Sequence, residues 1–249
     1  MSRMVFIISA PSGSGKSTLT NELRKIVANV EFSISYTTRP PRGSEETGRE
    51  YFFVSKDEFE RMIAEDAFLE YAKVFGNYYG TARRFLEAAE ARSNDLLLDI
   101  DVQGAAQVKR KMPDAVGIFI LPPSREELER RLRRRAQADD DIQHQLRGNG
   151  ARHFNTEEII QRRLQMASCE IENFREYDYI LVNDRLEQSI DVLKSIVEAE
   201  RVCRSGVHPT SKEELVLRTA ERARRPQMMR EVQSILATFD LSRFPTVTE

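Results

Sequence analysis

Met4-Val5-Phe6-Ile7-Ile8-Ser9 runs straight into Ala10-Pro11-Ser12-Gly13-Ser14-Gly15-Lys16-Ser17-Thr18, and the reading of this stretch decides the fold. A compact apolar run, a Gly/Ser-rich turn and a helical stretch from Lys16 to about Val27 spell strand, loop, helix. The loop is nearly the phosphate-binding pattern G-x-x-x-x-G-K-[ST], with Ala10 in place of the first glycine, a change that adds only a methyl group. Glycines let the backbone curl until successive N–H groups face inward and hold phosphate oxygens. The helix beginning near Lys16 adds the positive end of its dipole. Lys16 is then placed to reach the β- and γ-phosphates and the Ser17 hydroxyl to ligate Mg2+, which makes Ala10 to Thr18 a candidate triphosphate site. The loop alone leaves the acceptor open.

Working outward, Asp95–Ile100, Val116–Leu121 and Tyr179–Val182 are further short apolar runs. Fully apolar strands alternating with helices predict a parallel sheet covered on both faces, an α/β core. Between the first helix and Asp95 the pattern changes. Phe32–Thr38, Tyr51–Val54 and Leu69–Val74 are short and β-rich, and Asn77-Tyr78-Tyr79-Gly80 reads as a turn, so a small β-subdomain is inserted into the core. Ser55 with Glu58, Ser124 with Glu127 and Ser211 with Glu214 fit helix-capping boxes. Ala136–Asn155, with Asp139-Asp140-Asp141 and Gly148-Asn149-Gly150, is too polar for a core and is expected to be a mobile excursion. Another helix begins near Thr156. Past Arg204, Gly206 and Pro209 make a break, and a charged helix over Ser211–Arg225 is stopped by Pro226. Met228, Val232, Ile235, Leu236 and Phe239 then share a helical face. Docking on the protein's own core is the simpler reading of that face; a contact with another subunit, as in a homo-oligomer, or with a partner protein is the alternative.

Composition narrows the function classes. Among 249 residues, Lys+Arg number 38 and Asp+Glu 40, a formal net charge of -2 that argues against a nucleic-acid coat. No stretch reaches the ~20 apolar residues of a membrane span, and the N-terminus lacks a signal-peptide pattern. Cys169 and Cys203 cannot build a disulfide framework, and His144, His153 and His208 make no metal-binding pattern. A cytoplasmic, reducing location is expected.

The insert carries Ser33-Ile34-Ser35-Tyr36-Thr37-Thr38-Arg39-Pro40-Pro41-Arg42. Two arginines three apart, stiffened by prolines, suit bidentate capture of a phosphate. Read alone they are as readily solvated loop charges, and Glu70 alone reads as a surface carboxylate. Farther on, the strand Asp95–Ile100 ends in Asp99 and Asp101, which share a face and sit at the mouth of a ligand crevice. Arg131 and Arg135 lie four apart on one helical face, and Arg163 follows on the next helix.

In combination S-A-P-S-G-S-G-K-S, S-x-T-T-R-P-P-R, G-x-x-Y-x-F-V, G-N-Y-Y-G-T and L-D-I-D-V-Q-G resemble the guanylate kinase family over about residues 4–200. The resemblance implies a P-loop NTPase-type parallel core with an inserted β-rich GMP-binding subdomain and a helical lid. It divides residues 1–204 into core (about 1–32, 83–125 and 165–204), insert (about 33–82) and lid (about 126–164), with 205–249 a helical extension of open role. It places the GMP phosphate on Arg39, Arg42, Tyr51 and Tyr79, and the guanine base on Ser35, Glu70, Thr81 and Asp101. Guanine offers N1–H and a 2-amino group to a carboxylate, whereas adenine has no donor at N1, so such a site rejects the wrong base. Asn183 matches a position near the adenine pocket. Lys16, Arg131, Arg135 and Arg163 would surround the moving phosphoryl group, while Arg130, Arg133 and Arg134 are expected to be solvated or paired with Glu126, Glu127 and Glu129. Asp99 is placed near Mg2+ through water. The implied reaction passes the γ-phosphoryl of ATP to GMP or dGMP, giving ADP and GDP, in purine nucleotide metabolism and GMP recycling. Segment 136–155 is longer than the family's usual lid. A non-catalytic binding module and a sugar-phosphate kinase are the rivals: the first would lack loop or lid residues, the second would not need Glu70 and Asp101.

Overall fold

The computed structural model describes residues 3–74, 76–147 and 156–241. Strand β1 (Val5–Ser9) leads through the Gly/Ser loop to helix α1 (Lys16–Ile26) and strand β2 (Val30–Phe32). The insert follows with β3 (Tyr36–Thr37), β4 (Phe52–Phe53), α2 (Lys56–Ala64), β5 (Phe68–Val74) and β6 (Asn77–Ala82). Helix α3 (Arg84–Ala91) returns the chain to β7 (Asp95–Asp99), α4 (Val102–Lys111) and β8 (Val116–Leu121). The lid arm is α5 (Arg125–Arg147) and α6 (Thr156–Ile171); a 3-10 turn then enters β9 (Tyr179–Val182). Helices α7 (Leu186–Ser205), α8 (Ser211–Arg222) and α9 (Arg225–Thr238) complete the described chain.

The core sheet is parallel throughout, in the order β2-β7-β1-β8-β9. β1 is central, with Ile8 opposite Asp99 on one side and Ile118 on the other, so the loop after β1 and the acids at the end of β7 emerge side by side. Successive side chains alternate faces. Val5 and Ile7 enter one apolar layer with Leu96, Leu98, Phe119 and Phe174, while Phe6 and Ile8 enter the other with Leu19, Leu23, Leu193 and Ile196 of α1 and α7. Each such side chain contributes about 1.5–3 kcal/mol by leaving water. The insert forms its own sheet, β4-β3-β6-β5, around a small cluster of Tyr36, Phe59, Phe68 and Ala82.

The apolar face of α9 docks on the chain itself. Val232, Ile235, Leu236 and Phe239 are buried in one cluster with Leu128 and Leu132 of α5 and Ile160 and Leu164 of α6. The Arg125 N–H at the start of α5 donates to Thr238 Oγ1 at 3.0 Å, which fastens the lid's base to the extension.

Four local expectations are corrected. Asn77-Tyr78-Tyr79-Gly80 is strand, paired antiparallel to β5 with Tyr71 opposite Gly80; the bend comes earlier, at Gly76. Two tyrosines favour the pleated surface more than the Asn and Gly favour a turn. Helix α5 continues to Arg147, through much of the segment read as an excursion, because 136–147 contains neither Gly nor Pro and is rich in helix-forming residues. The remainder of that segment, 148–155, lies outside the described residues, as do the side chains of 138–147. The capping box of α8 is Thr210 with Glu213, one residue earlier than the sequence signal. Pro226 opens α9 after α8 has already ended at Arg222. Among the described residues no helix is long and apolar enough to cross a membrane, and both cysteines are exposed and unpaired.

Candidate active site

The phosphate loop is held from behind by distant elements. Gly15 has φ +89°, and an added Cβ would come within 2.3 Å of Asn183 Nδ2, so conformation and close approach both demand glycine there. Asn183 Nδ2 donates to the Ser14 carbonyl at 2.8 Å. The Arg131 guanidinium donates to that same carbonyl (3.3 Å) and to the Asn183 carbonyl (2.9 Å), linking α5 to the loop. Glu127 accepts from Arg131 Nε at 2.7 Å, and contacts with Arg130 and Arg131 hold its carboxyl down at about 2, so it stays ionised. Arg130 pairs with Glu127 and Arg133 with Glu129, as the charge pattern predicts, and Arg133 also reaches Glu157 on α6, which that pattern does not predict.

Lys16 makes an ion pair with Asp99 Oδ1 and donates to the Ile100 carbonyl at 3.1 Å. Burial disfavours its charge, but Asp99 more than compensates and the ammonium is held above its ordinary pKa. The other Asp99 oxygen accepts from Thr20 Oγ1 at 3.3 Å. Ser17 and Asp99 therefore line one corner, a hydroxyl and a carboxylate that supply the hard oxygen donors Mg2+ prefers. Among the described residues no three His, Cys, Asp or Glu side chains cluster for a metal, and Mg2+ in phosphoryl transfer needs only one or two protein ligands beside phosphate oxygens.

The wall facing the loop is built from side chains of the insert. Arg39 is only 7% exposed and forms a fork with Glu45 (2.9 and 3.0 Å) under the rings of Tyr51 and Phe53. The Tyr51 and Tyr79 rings meet edge-on, 5.9 Å apart. Glu70 is 3% exposed. Burial pushes its carboxyl up to about 7; the nearby Asp101 charge adds to this, and the Thr81 hydroxyl opposes it. That hydroxyl is fully buried and faces Glu70 outside strict hydrogen-bond geometry. Asp101 caps α4 by accepting from Gly104 N–H at 2.8 Å, and a Cβ on Gly104 would stand 2.3 Å from Glu70 Oε2. Glycine at that position is what lets the carboxyl lie against the helix start.

A cavity of about 430 Å3 joins the two walls. It is lined by Ala10 to Gly13 and Gly15 to Thr18 of the loop, Ser35, Arg42, Tyr51, Glu70 and Tyr79 of the insert, and Asp99 and Asp101 of the strand end. Arg131, Arg135 and Arg163 close it from the lid helices. Ser14, Asn183, Arg39 and Thr81 stand behind these residues, buried, and do not line the cavity. The sequence reading missed Gly104 and Glu170. Glu170 also lines the cavity; its signal was its position seven residues after Arg163, two turns along the same face of α6.

A family model for guanylate kinase matches residues 2–200. The chain belongs to the guanylate kinase family. The guanylate kinase of Koribacter versatilis is 57% identical over 239 residues, covering 96% of this chain and 97% of the relative. That of Escherichia coli is 47% identical over 200 residues, covering 80% of this chain and 88% of its own. A crystal structure of guanylate kinase from Anaplasma phagocytophilum superimposes with a TM-score of 0.62 at 34% identity, covering 80% of this chain and 86% of that one. The chain is thus an ATP:GMP phosphotransferase with the family's α/β core, inserted β subdomain and helical lid. In this guanylate kinase fold the phosphate loop and the buried Glu70 face one another across a single cavity.

Proposed function

We propose that the phosphate loop holds ATP and the insert holds GMP or dGMP, their phosphates meeting beneath the lid arginines. The observation that carries this reading is the single cavity bounded by loop backbone on one side and by Arg42, Tyr51, Glu70 and Tyr79 on the other. The loop residues from Gly13 to Thr18, Ser14 apart, supply inward N–H groups, and Asn183 supports them through the Ser14 carbonyl. Arg42, Tyr51 and Tyr79 fix the acceptor phosphate in line from the cavity wall, and Arg39 joins them by leaving Glu45 as the ligand arrives. Ser35, Glu70 and Asp101 read guanine from that wall, and Thr81 stands behind Glu70 and orients its carboxyl. An oxygen of the GMP phosphate forms a bond to the γ-phosphorus as the bond to the β-bridging oxygen breaks, and ADP leaves. Negative charge spreads over the moving group and the leaving oxygen. Lys16, Arg131, Arg135 and Arg163 stabilise it, and closing the lid excludes water. Ser17 directly, and Asp99 through water, would hold Mg2+, which supplies charge neutralisation on the phosphate oxygens. Lys16 rests on Asp99 in the free protein and turns to the phosphates when they arrive.

Residues 1–204 act as the kinase unit, and α9 of the extension that follows braces the lid base. The balanced charge and two unpaired thiols fit a cytoplasmic place in purine nucleotide metabolism and GMP recycling. The test of base reading is Glu70→Gln. With one acceptor oxygen replaced by an amide, kcat/KM for GMP falls about 100-fold, in line with a hydrogen-bonded charged group at ~1.5–3 kcal/mol, and the KM for ATP stays put. ADP release with GMP, AMP and ribose 5-phosphate as acceptors measures it. Equal losses for ATP and GMP would remove Glu70 from base recognition.

A further inference from the structure

Glu170 has no part in the roles assigned above, yet it lines the cavity on the donor side. It lies in the last turn of α6, in line with Arg163. The Ser12 backbone N–H of the phosphate loop faces its carboxyl, while Glu170 Oε2 is buried with no hydrogen-bond partner. A buried carboxylate with an unmatched oxygen is costly unless it is protonated or finds a partner. Lys16 from α1, Asp101 from the β7–α4 junction and Tyr177 from the turn before β9 face it, and Arg131 and Arg135 of α5 line the same cavity. Lys16 favours its ionised form and Asp101 opposes it, and burial, the largest influence, pushes the carboxyl up to about 7. A triphosphate on the loop brings several negative charges beside this group and engages Lys16. Both changes favour the neutral acid.

We propose that Glu170 is a positioning residue of the donor pocket, holding the phosphate loop at Ser12 from lid helix α6 and taking up a proton when the triphosphate enters. As the neutral acid it keeps one oxygen for the Ser12 N–H, carries a proton on the other, and no longer repels the phosphates. The same helix carries Arg163, so the contact sets the lid arm and the loop in register. The inference rests on ATP occupying the phosphate loop.

The test is calorimetric titration of the full chain with Mg-ATP, without GMP, at pH 7.5 in buffers of different ionisation enthalpy. A carboxyl near 7 is about three-quarters ionised at that pH, so wild type is expected to take up as much as ~0.7 proton per ATP bound. Glu170→Gln binds Mg-ATP with no such uptake, and its ATP KM is flat from pH 6.5 to 8. Glu170→Asp keeps the titrating group and withdraws it from Ser12, so uptake persists while ATP KM rises several-fold. Glu70→Gln leaves the uptake intact. Unchanged uptake in Glu170→Gln, or its loss in Glu70→Gln, overturns the proposal. Failure of wild type to bind Mg-ATP overturns the donor-site reading first, and this inference with it.

Discussion

The phosphate loop and the β-insert face each other across one cavity but are held by different things. The loop is fixed through its own backbone: the Ser14 carbonyl is gripped by Asn183 and Arg131, and Gly15 lies too close to Asn183 to carry a side chain. The insert is fixed by aromatic packing, Phe59 on Phe68 and on Tyr78 and Tyr36 on Phe52, and it presents side chains to the cavity. The difference follows from what each wall must recognise. Phosphates are common to every triphosphate and can be held by amide groups that any sequence possesses, whereas one base among several must be read by particular donors and acceptors. A backbone wall tolerates changes of side chain but not an added Cβ. A side-chain wall depends on single groups and on the space left for them.

Two substitutions test this contrast where its effects are greatest. Lys16→Met removes the donor wall's mobile cation, and the expected fall in kcat is about 1,000-fold, the scale of losing one transition-state charge donor. GMP binding measured without ATP stays within a few-fold of wild type; a matching loss of GMP affinity would mean the walls act as one unit. Gly104→Ala places a Cβ 2.3 Å from Glu70 Oε2 and must displace that carboxyl or the start of α4. The expected result is a loss of about 30-fold in kcat/KM for GMP, from misaligned charged hydrogen bonds. ATP KM stays unchanged, and a rise in it equal to that for GMP breaks the comparison.

The same contrast explains what could be read from the sequence. The donor wall is local: strand, loop and helix are consecutive, so spacing alone places Gly15, Lys16 and Ser17. The facing wall gathers Ser35, Tyr51, Glu70, Tyr79 and Asp101 from separate elements; strand geometry alone put Asp101 at the crevice mouth, and only the family resemblance assigned the other four. Glu70 by itself reads as a surface carboxylate because its burial depends on Gly104, far along the chain, leaving room beside it. Glu170 escaped notice for the same reason. On a charged helix a glutamate looks solvated, and only the fold brings its carboxyl into the cavity beside the Ser12 N–H. The continuation of α5 through a polar stretch shows the converse: polarity says where water is, while the absence of Gly and Pro decides whether the helix goes on.

The smallest expected effect separates the walls by the sign of their response to pH. Burial, with Asp101 beside it, raises the Glu70 carboxyl to about 7. On the proposed reading guanine donates hydrogen bonds to the anion, so GMP would bind the ionised form and lower that pKa. From pH 8 to pH 6 the ionised fraction falls from about nine-tenths to about one-tenth, and GMP KM is expected to rise about tenfold as pH drops. The phosphate of GMP also titrates near this range, so the Glu70→Gln profile serves as the baseline and the tenfold change is read as the difference between the two. The Glu170 carboxyl is likewise raised to about 7 by burial, but its ligand brings negative charge instead of hydrogen-bond donors. On the proposal above ATP binds its neutral form, and ATP KM is then expected to rise as pH climbs through 7. Two carboxyls with similar resting pKa values then give opposite slopes, because the chemistry of the ligand, not the burial of the acid, sets the direction of proton flow. If steady-state profiles show both Michaelis constants moving the same way after the baseline is removed, the distinction between a wall that reads donors and a wall that receives phosphates is lost.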